Sequence, residues 1–173
     1  MTSDTEALAP DIADPETRLH DAHHASLRLW LRLLTCTLTI ERRVRARLRE
    51  QFAITLPRFD LMAQLERHPQ GLKMGELSRR LMVTSGNVTG LTDQLAAEGL
   101  VERTPIPGDR RAFLVRLTPK GKHAFGAMAA AHERWIIDIF SGLSEAERGK
   151  LHALLGQLKT TMPEAGRLES GKE

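Results

Sequence analysis

Residues 84–121 read TSGNVTGLTDQLAAEGLVERTPIPGDRRAFLVRLTPKG. Thr84 or Ser85 is placed to cap a helix, because a short hydroxyl accepts one of the orphan N–H groups of a first turn. Val88, Leu91 and Leu95 recur at helical spacing and form the expected inner face as far as Glu98, where Gly99 stops the helix. Two strand-like runs follow, Leu100 to Thr104 and Ala112 to Thr118, with Pro105, Pro107 and Gly108-Asp109 between them. Phe113, Val115 and Leu117 alternate as a half-buried strand requires. Pro119 then suits the first turn of another helix.

Working upstream, Pro57 starts a helix carrying Phe59, Leu61, Met62 and Leu65, which ends near Pro69-Gln70-Gly71. A short helix with Met74, Leu77 and Leu81 comes next, and Met82-Val83-Thr84 makes a tight connection into the capped helix. Helix, tight turn, helix and hairpin in that order predict a winged helix-turn-helix over residues 55–118. The flanks are helical. No Pro or Gly interrupts Glu16 to Gln51, so one long helix is expected there. Its Leu27, Leu31, Leu34 and Leu38 share a face, while Leu29, Trp30, Leu33 and Ile40 widen the apolar girth until a second subunit is the natural cover. Downstream, a helix runs from Pro119 to about Ser141. Ser144-Glu145-Ala146-Glu147 reads as a capping box for a last helix to about Thr161, ended by Pro163. The fold class is therefore mainly α with a small β-hairpin wing. Residues 16–52 and 119–162 are expected as dimerisation helices, 1–15 as a disordered acidic arm and 163–173 as a polar tail.

Composition narrows the partner. The 173 residues are 41% hydrophobic but only 4% aromatic, without Tyr, so the core is aliphatic. Residues 1–16 hold five acids and no base, leaving 25 basic against 17 acidic residues in the remainder. A basic body with an acidic arm fits a polyanionic partner. The longest apolar run, Leu27 to Ile40, is broken by Arg28 and Arg32 and is too short to span a bilayer. With one cysteine and no apolar leader, the expectation is a cytoplasmic protein away from membranes. Neither a phosphate loop nor a nucleophile-base set is present, so an enzyme is not expected, nor is a cofactor.

Duplex DNA is the partner that this arrangement suits. A capped helix fits the major groove and meets base edges with its N-terminal residues. Opposite Val88, Leu91 and Leu95 lie Gly86, Thr89, Gly90 and Asp93, with Thr84, Ser85 and Asn87 at the leading end. Asn87 suits a bidentate contact to adenine, Thr89 a base, phosphate or thymine methyl, and the two glycines a close backbone approach. On the wing, Arg110 and Arg111 follow Asp109. A narrow minor groove attracts an inserted guanidinium, and Asp109 is spaced to hold Arg111 extended. Residues 84–98 contain no Lys or Arg, so phosphate neutralisation falls to Arg58, Lys73, Arg79, Arg80, Arg103, Arg110 and Arg116.

As a set, ELSRRL, VTGLTDQL, EGLVER, the wing's Asp109 and Arg111, and LTPKG closely resemble the MarR family of bacterial transcription regulators. TLPRFDLMAQL, residues 55–65, matches the helix before them, and the resemblance covers roughly residues 18–162. It implies an obligate homodimer on a pseudo-palindromic operator, with Arg111 in the minor groove oriented by Asp109. Most often in this family the regulator is a repressor, released by a small effector held between the dimerisation helices and the winged domain. An aromatic carboxylate is the effector expected by that analogy, with His24, Arg28, Trp30 and Arg32 as pocket candidates. One departure stands out: Gly90 and Gln94 occupy places where the family often has a base.

Three other features admit functional readings. His20 and His24 share a helix face at metal-ligand spacing, which would make a metal-responsive regulator; no cysteine or carboxylate pair completes such a site, and no metal is expected. Cys36 raises peroxide sensing, but it lies in an apolar-Thr run and is expected to be a buried, inert thiol. The run RRVRARLR, residues 42–49, is read as a solvated face with Val44, Ala46 and Leu48 turned inward. A non-specific architectural DNA binder remains the alternative to a sequence-specific regulator.

Overall fold

The computed structural model describes residues 24–106 and 109–162, with the backbone alone for 109–112. The chain divides between Leu61 and Met62 into two compact units. That division falls inside a helix, whereas the sequence placed the start of the winged domain at residue 55. The expected acidic arm, the polar tail and the helical residues before His24 lie outside the described residues.

The first unit holds α1 (Ala25–Phe52) and the opening turns of α2 (Leu56–Glu66). Ala53 ends α1 in a left-handed conformation at φ 52°, its N–H donating to the Arg49 carbonyl. Val44 and Leu48, four apart, are the buried residues of α1. Ala46 is exposed, a correction that helical geometry explains, since two residues turn the chain about 200° away from Val44. Leu27, Leu29, Trp30 and Leu38 are exposed as well. The Arg45 guanidinium pairs with Glu41, and burial raises the Asp60 carboxyl above its usual range against the opposing pull of Arg45.

The second unit contains the rest of α2 and, in order, β1 (Leu72–Lys73), α3 (Met74–Leu81), α4 (Ser85–Ala97), β2 (Val101–Ile106), β3 (Asp109–Leu117), α5 (Pro119–Ile139) and α6 (Glu145–Thr161). Its sheet is antiparallel in the order β1-β3-β2. The two-residue β1, unforeseen in the sequence, pairs Leu72 with Val115 and Lys73 with Leu114. Leu77, Val88, Leu95 and Val115 are fully buried and form the centre of this unit. The turn between α3 and α4 is pinned twice: Val83 N–H donates to the Ser78 carbonyl at 3.2 Å, and Ser78 Oγ donates to the Val83 carbonyl at 2.6 Å.

The hairpin is longer than its sequence implied. Pro105 lies within β2 opposite Phe113, not in the connection. Because β2 is an edge strand, a residue without an N–H costs no ladder bond on its open side. Along β3, Val115 and Leu117 are buried but Phe113 is 38% exposed, so burial fades toward the tip. At the other end of the fold, Ser144 and Glu147 form the expected capping box of α6. No residue of α6 is buried.

Candidate nucleic-acid interface

The geometry of α4 separates a held side from an open one. Thr84 is the N-cap, its side chain accepting from Asn87 N–H at 3.4 Å. Val88, Thr92 and Leu95 are buried, whereas Leu91 is only half-buried, which corrects the inner face read from the sequence. Spacings of four and three keep residues 88, 92 and 95 on one stripe. Thr92 tolerates full burial because its hydroxyl donates to the Val88 carbonyl at 2.7 Å, leaving its methyl to pack. Leu91 is the bulkier apolar residue, so only the i, i+4 position relative to Val88 marks Thr92 in the sequence.

Ser85, Gly86, Asn87, Thr89, Gly90 and Asp93 are all exposed. A Cβ added at Gly86 or Gly90 would meet no atom within 4 Å, so the two glycines leave open space and not a packed seam. Thr89 Oγ1 donates to the Ser85 carbonyl at 3.0 Å, which commits its hydrogen and leaves an acceptor lone pair and the methyl outward.

Around this helix the chain builds rigid supports. Asp93 Oδ1 and Arg103 Nη2 pair at 2.5 Å, tying α4 to β2. Beyond the helix, Gly99 takes φ 70°, the left-handed conformation that releases the chain into β2. Thr118 caps α5 by accepting from Gly121 N–H at 2.9 Å and donates its own hydrogen to the Gly99 carbonyl at 2.7 Å. Lys120 Nζ donates to the Glu98 carbonyl at 2.7 Å. A Cβ at Gly121 would fall 1.9 Å from the Leu100 oxygen, so only glycine fits there. The LTPKG run thus fastens the start of α5 to the end of α4.

In the wing, Ile106 pairs with Asp109 and Pro105 with Phe113. Arg110, Arg111 and Ala112 therefore lie in the register shift between those pairs. The side chains of Asp109, Arg110 and Arg111 are outside the described residues.

The proposed phosphate-contacting residues differ in their circumstances. Lys73 and Arg79 are exposed. Arg80 pairs with Glu76 at 2.7 Å and Arg116 with Glu102 at 2.6 Å, while Arg103 is engaged by Asp93. Arg58 is only 9% exposed. It precedes Leu61, Met62 and Leu65 by three, four and seven residues, which turns it to the inner side of α2 and removes it from the open surface.

The structure leaves the effector candidates on an open helix. Trp30 is 57% exposed, His24 and Arg32 are exposed and Arg28 is half-buried. His20 lies outside the described residues, and among those described no group of three His, Cys, Asp or Glu side chains is placed to hold a metal. Cys36 is exposed, contrary to the expected burial, because it sits in a run of α1, residues 35–38, that is exposed throughout. A cavity of about 270 Å³ lined by Phe140, Arg148, Leu151, His152 and Leu155 has no counterpart in the sequence reading. No described helix is long and apolar enough to cross a membrane.

Comparison with known proteins places this geometry. The profile of the MarR family matches residues 54–113. The helix-turn-helix transcriptional regulator PecS of Dickeya dadantii is 31% identical over 111 residues, covering 63% of this chain and 67% of that protein. A crystal structure of a MarR family transcriptional regulator from Silicibacter pomeroyi superposes with a TM-score of 0.69 at 31% identity, covering 83% of this chain and all of that one. The fold is also that of a cysteine-substituted E. coli MarR solved with operator DNA, at a TM-score of 0.68 and 24% identity over 80% of this chain and 99% of that one. A profile centred on the winged unit and relatives matched along most of their length converge: the chain belongs to the MarR family of helix-turn-helix transcription regulators, which are not enzymes.

Proposed function

We propose that this regulator binds a pseudo-palindromic operator as a homodimer, reading bases with the leading end of α4 and inserting Arg111 of the wing into the minor groove. The observation that carries this reading is α4 itself. A capped helix is held from behind by Val88, Thr92 and Leu95, and it presents Ser85, Asn87, Thr89 and two open glycines outward. The operator complex of the E. coli relative supports the same use of the fold. Support for a second copy comes from exposed apolar residues around α1, Leu27, Leu29, Trp30 and Leu38, and from an exposed apolar face of α6 formed by Leu151, Leu154, Leu155 and Leu158. Two copies related by a twofold would set the reading helices on half-sites about one helical turn apart.

Operator occupancy in the cytoplasm makes repression the simplest outcome. Release follows when a small effector favours a dimer whose reading helices are wrongly spaced. An aromatic carboxylate is the effector this reading carries. Arg28 and Arg32, one helical turn apart and on the same face of α1 as His24, suit a carboxylate. Trp30, about 200° round the helix from both arginines, offers its indole to a ring on the opposite side.

Fluorescence anisotropy on duplex from the gene's own upstream region, against random duplex and at two salt concentrations, tests the reading. Arg111→Ala is expected to lose about 1–3 kcal/mol of operator binding with its thermal midpoint unchanged. Equal affinity for both duplexes would instead identify a non-specific architectural binder.

A further inference from the structure

Besides Asp93, which ties Arg103 to α4, two carboxylates of the winged unit hold arginines that the DNA reading would otherwise give to phosphate. On α3, Glu76 Oε1 accepts from Arg80 Nη2 at 2.7 Å and from Nε at 3.1 Å. Glu76, Arg79 and Arg80 together line a cleft of about 250 Å³, ample for a phosphate group. On the wing, Glu102 and Arg116 face each other across β2 and β3. Their neighbours Val101, Val115 and Leu117 are buried while they are exposed, so they occupy the outward face, where Nε of Arg116 donates to Glu102 at 2.6 Å. These pairs have no need to stabilise the fold: exposed ion pairs contribute little to stability. Meanwhile α4 contributes no positive charge at all, so each arginine withheld is a large share of what can neutralise DNA.

We propose that Glu76 and Glu102 are internal competitors of the DNA backbone, occupying Arg80 and Arg116 so that duplex of arbitrary sequence is bound weakly. The inference rests on the DNA-binding reading above and adds positioning residues that act through their arginines. Non-specific affinity is almost wholly electrostatic and follows the number of phosphates neutralised. A guanidinium already shared with a carboxylate brings little net charge to the encounter. Because the pair is weak, a well-placed phosphate displaces the carboxylate, and the arrangement restrains binding without blocking it. The Arg80 hydrogen bond holds the Glu76 carboxyl below its usual pKa range, so it is ionised at neutral pH and competes fully.

The test is a double-mutant cycle on random duplex, read by anisotropy across a salt series. Glu102→Gln keeps the shape and removes the charge. It is expected to bind about fivefold tighter near 0.15 M salt, with a log–log salt slope steeper by about 0.9, as one added phosphate contact gives. The same gain is expected for Glu76→Gln. In the Arg116→Gln and Arg80→Gln backgrounds the respective gains should vanish. A gain that persists without the arginine would show plain charge repulsion and overturn the competition, as would no gain at all. Failure of the wild-type chain and every variant to bind any duplex would instead remove the DNA reading on which the inference rests.

Discussion

Helices α4 and α6 look alike on paper and behave oppositely in the fold. Over 13 residues α4 buries Val88, Thr92 and Leu95, while α6, with 17 residues and leucines at 151, 154, 155 and 158, buries none. Both have hydroxyl N-caps, Thr84 and Ser144, so the difference does not lie in how the helices start. It lies in what comes next along the chain. The hairpin returns onto α4 within a few residues, and no described residue beyond α6 returns onto it. Apolar spacing says that a face needs cover, and only the neighbouring chain says whether the cover is internal.

Charge placed on the uncovered face of α6 separates the two helices most strongly. Leu154→Glu together with Leu155→Glu should leave a folded monomer by circular dichroism and sedimentation. Operator affinity should fall at least about a hundredfold, since two linked heads gain their avidity from being joined. A dimer that survives both changes would make α6 ordinary solvent surface.

A second substitution pair sharpens the contrast energetically. Leu95→Ala removes a side chain with no exposure and should cost about 2–5 kcal/mol in urea unfolding. Leu154→Ala, measured in a Leu155→Glu background so that dimerisation does not enter the comparison, should cost below about 0.5 kcal/mol, the range of surface changes.

The smallest expected effect concerns pH. His132 on α5 meets Trp135 edge-on, ring centroids 6.4 Å apart, and burial lowers its pKa from the ordinary 6.5. The unfolded chain therefore takes up the proton first. The stabilising contribution is complete well above pH 6.5 and declines as the pH falls through 6.5 toward the folded value. Thermal midpoints measured between about pH 7.5 and 5.5 should drop, and His132→Gln should flatten that drop.

What could be read from the sequence follows from how local its cause is. The cap at Thr84, the capping box at Ser144 and Glu147, the helix start at Pro119 and the alternation of Val115 with Leu117 each depend on a few adjacent residues, and all appear in the structure. The strand β1 escapes a sequence reading because two residues carry no period; it exists only because β3 offers an edge to Leu72 and Lys73. Pro105 reads as a loop residue because its acceptability in a strand depends on β2 being the outer one. Thr92 gives way on paper to the larger Leu91, although hydrogen bonding to its own helix makes a threonine as buriable as a valine. At the candidate interface, the residues on the open side of α4 are legible from helical spacing. Asp93 with Arg103, and Glu102 with Arg116, are not, because their partners lie on different elements. Glu76 and Arg80, four apart on one helix, are visible in principle.

The LTPKG run has a mechanical consequence. Three successive carbonyls at the close of α4, those of Glu98, Gly99 and Leu100, are gripped by Lys120, by the Thr118 hydroxyl and by the Thr118 N–H. Gly121 sits so near the last of them that no side chain could intervene. A hinge requires slack, and this joint has none. Torque applied along α5 is passed to α4 as through a keyed shaft instead of being lost in a loop.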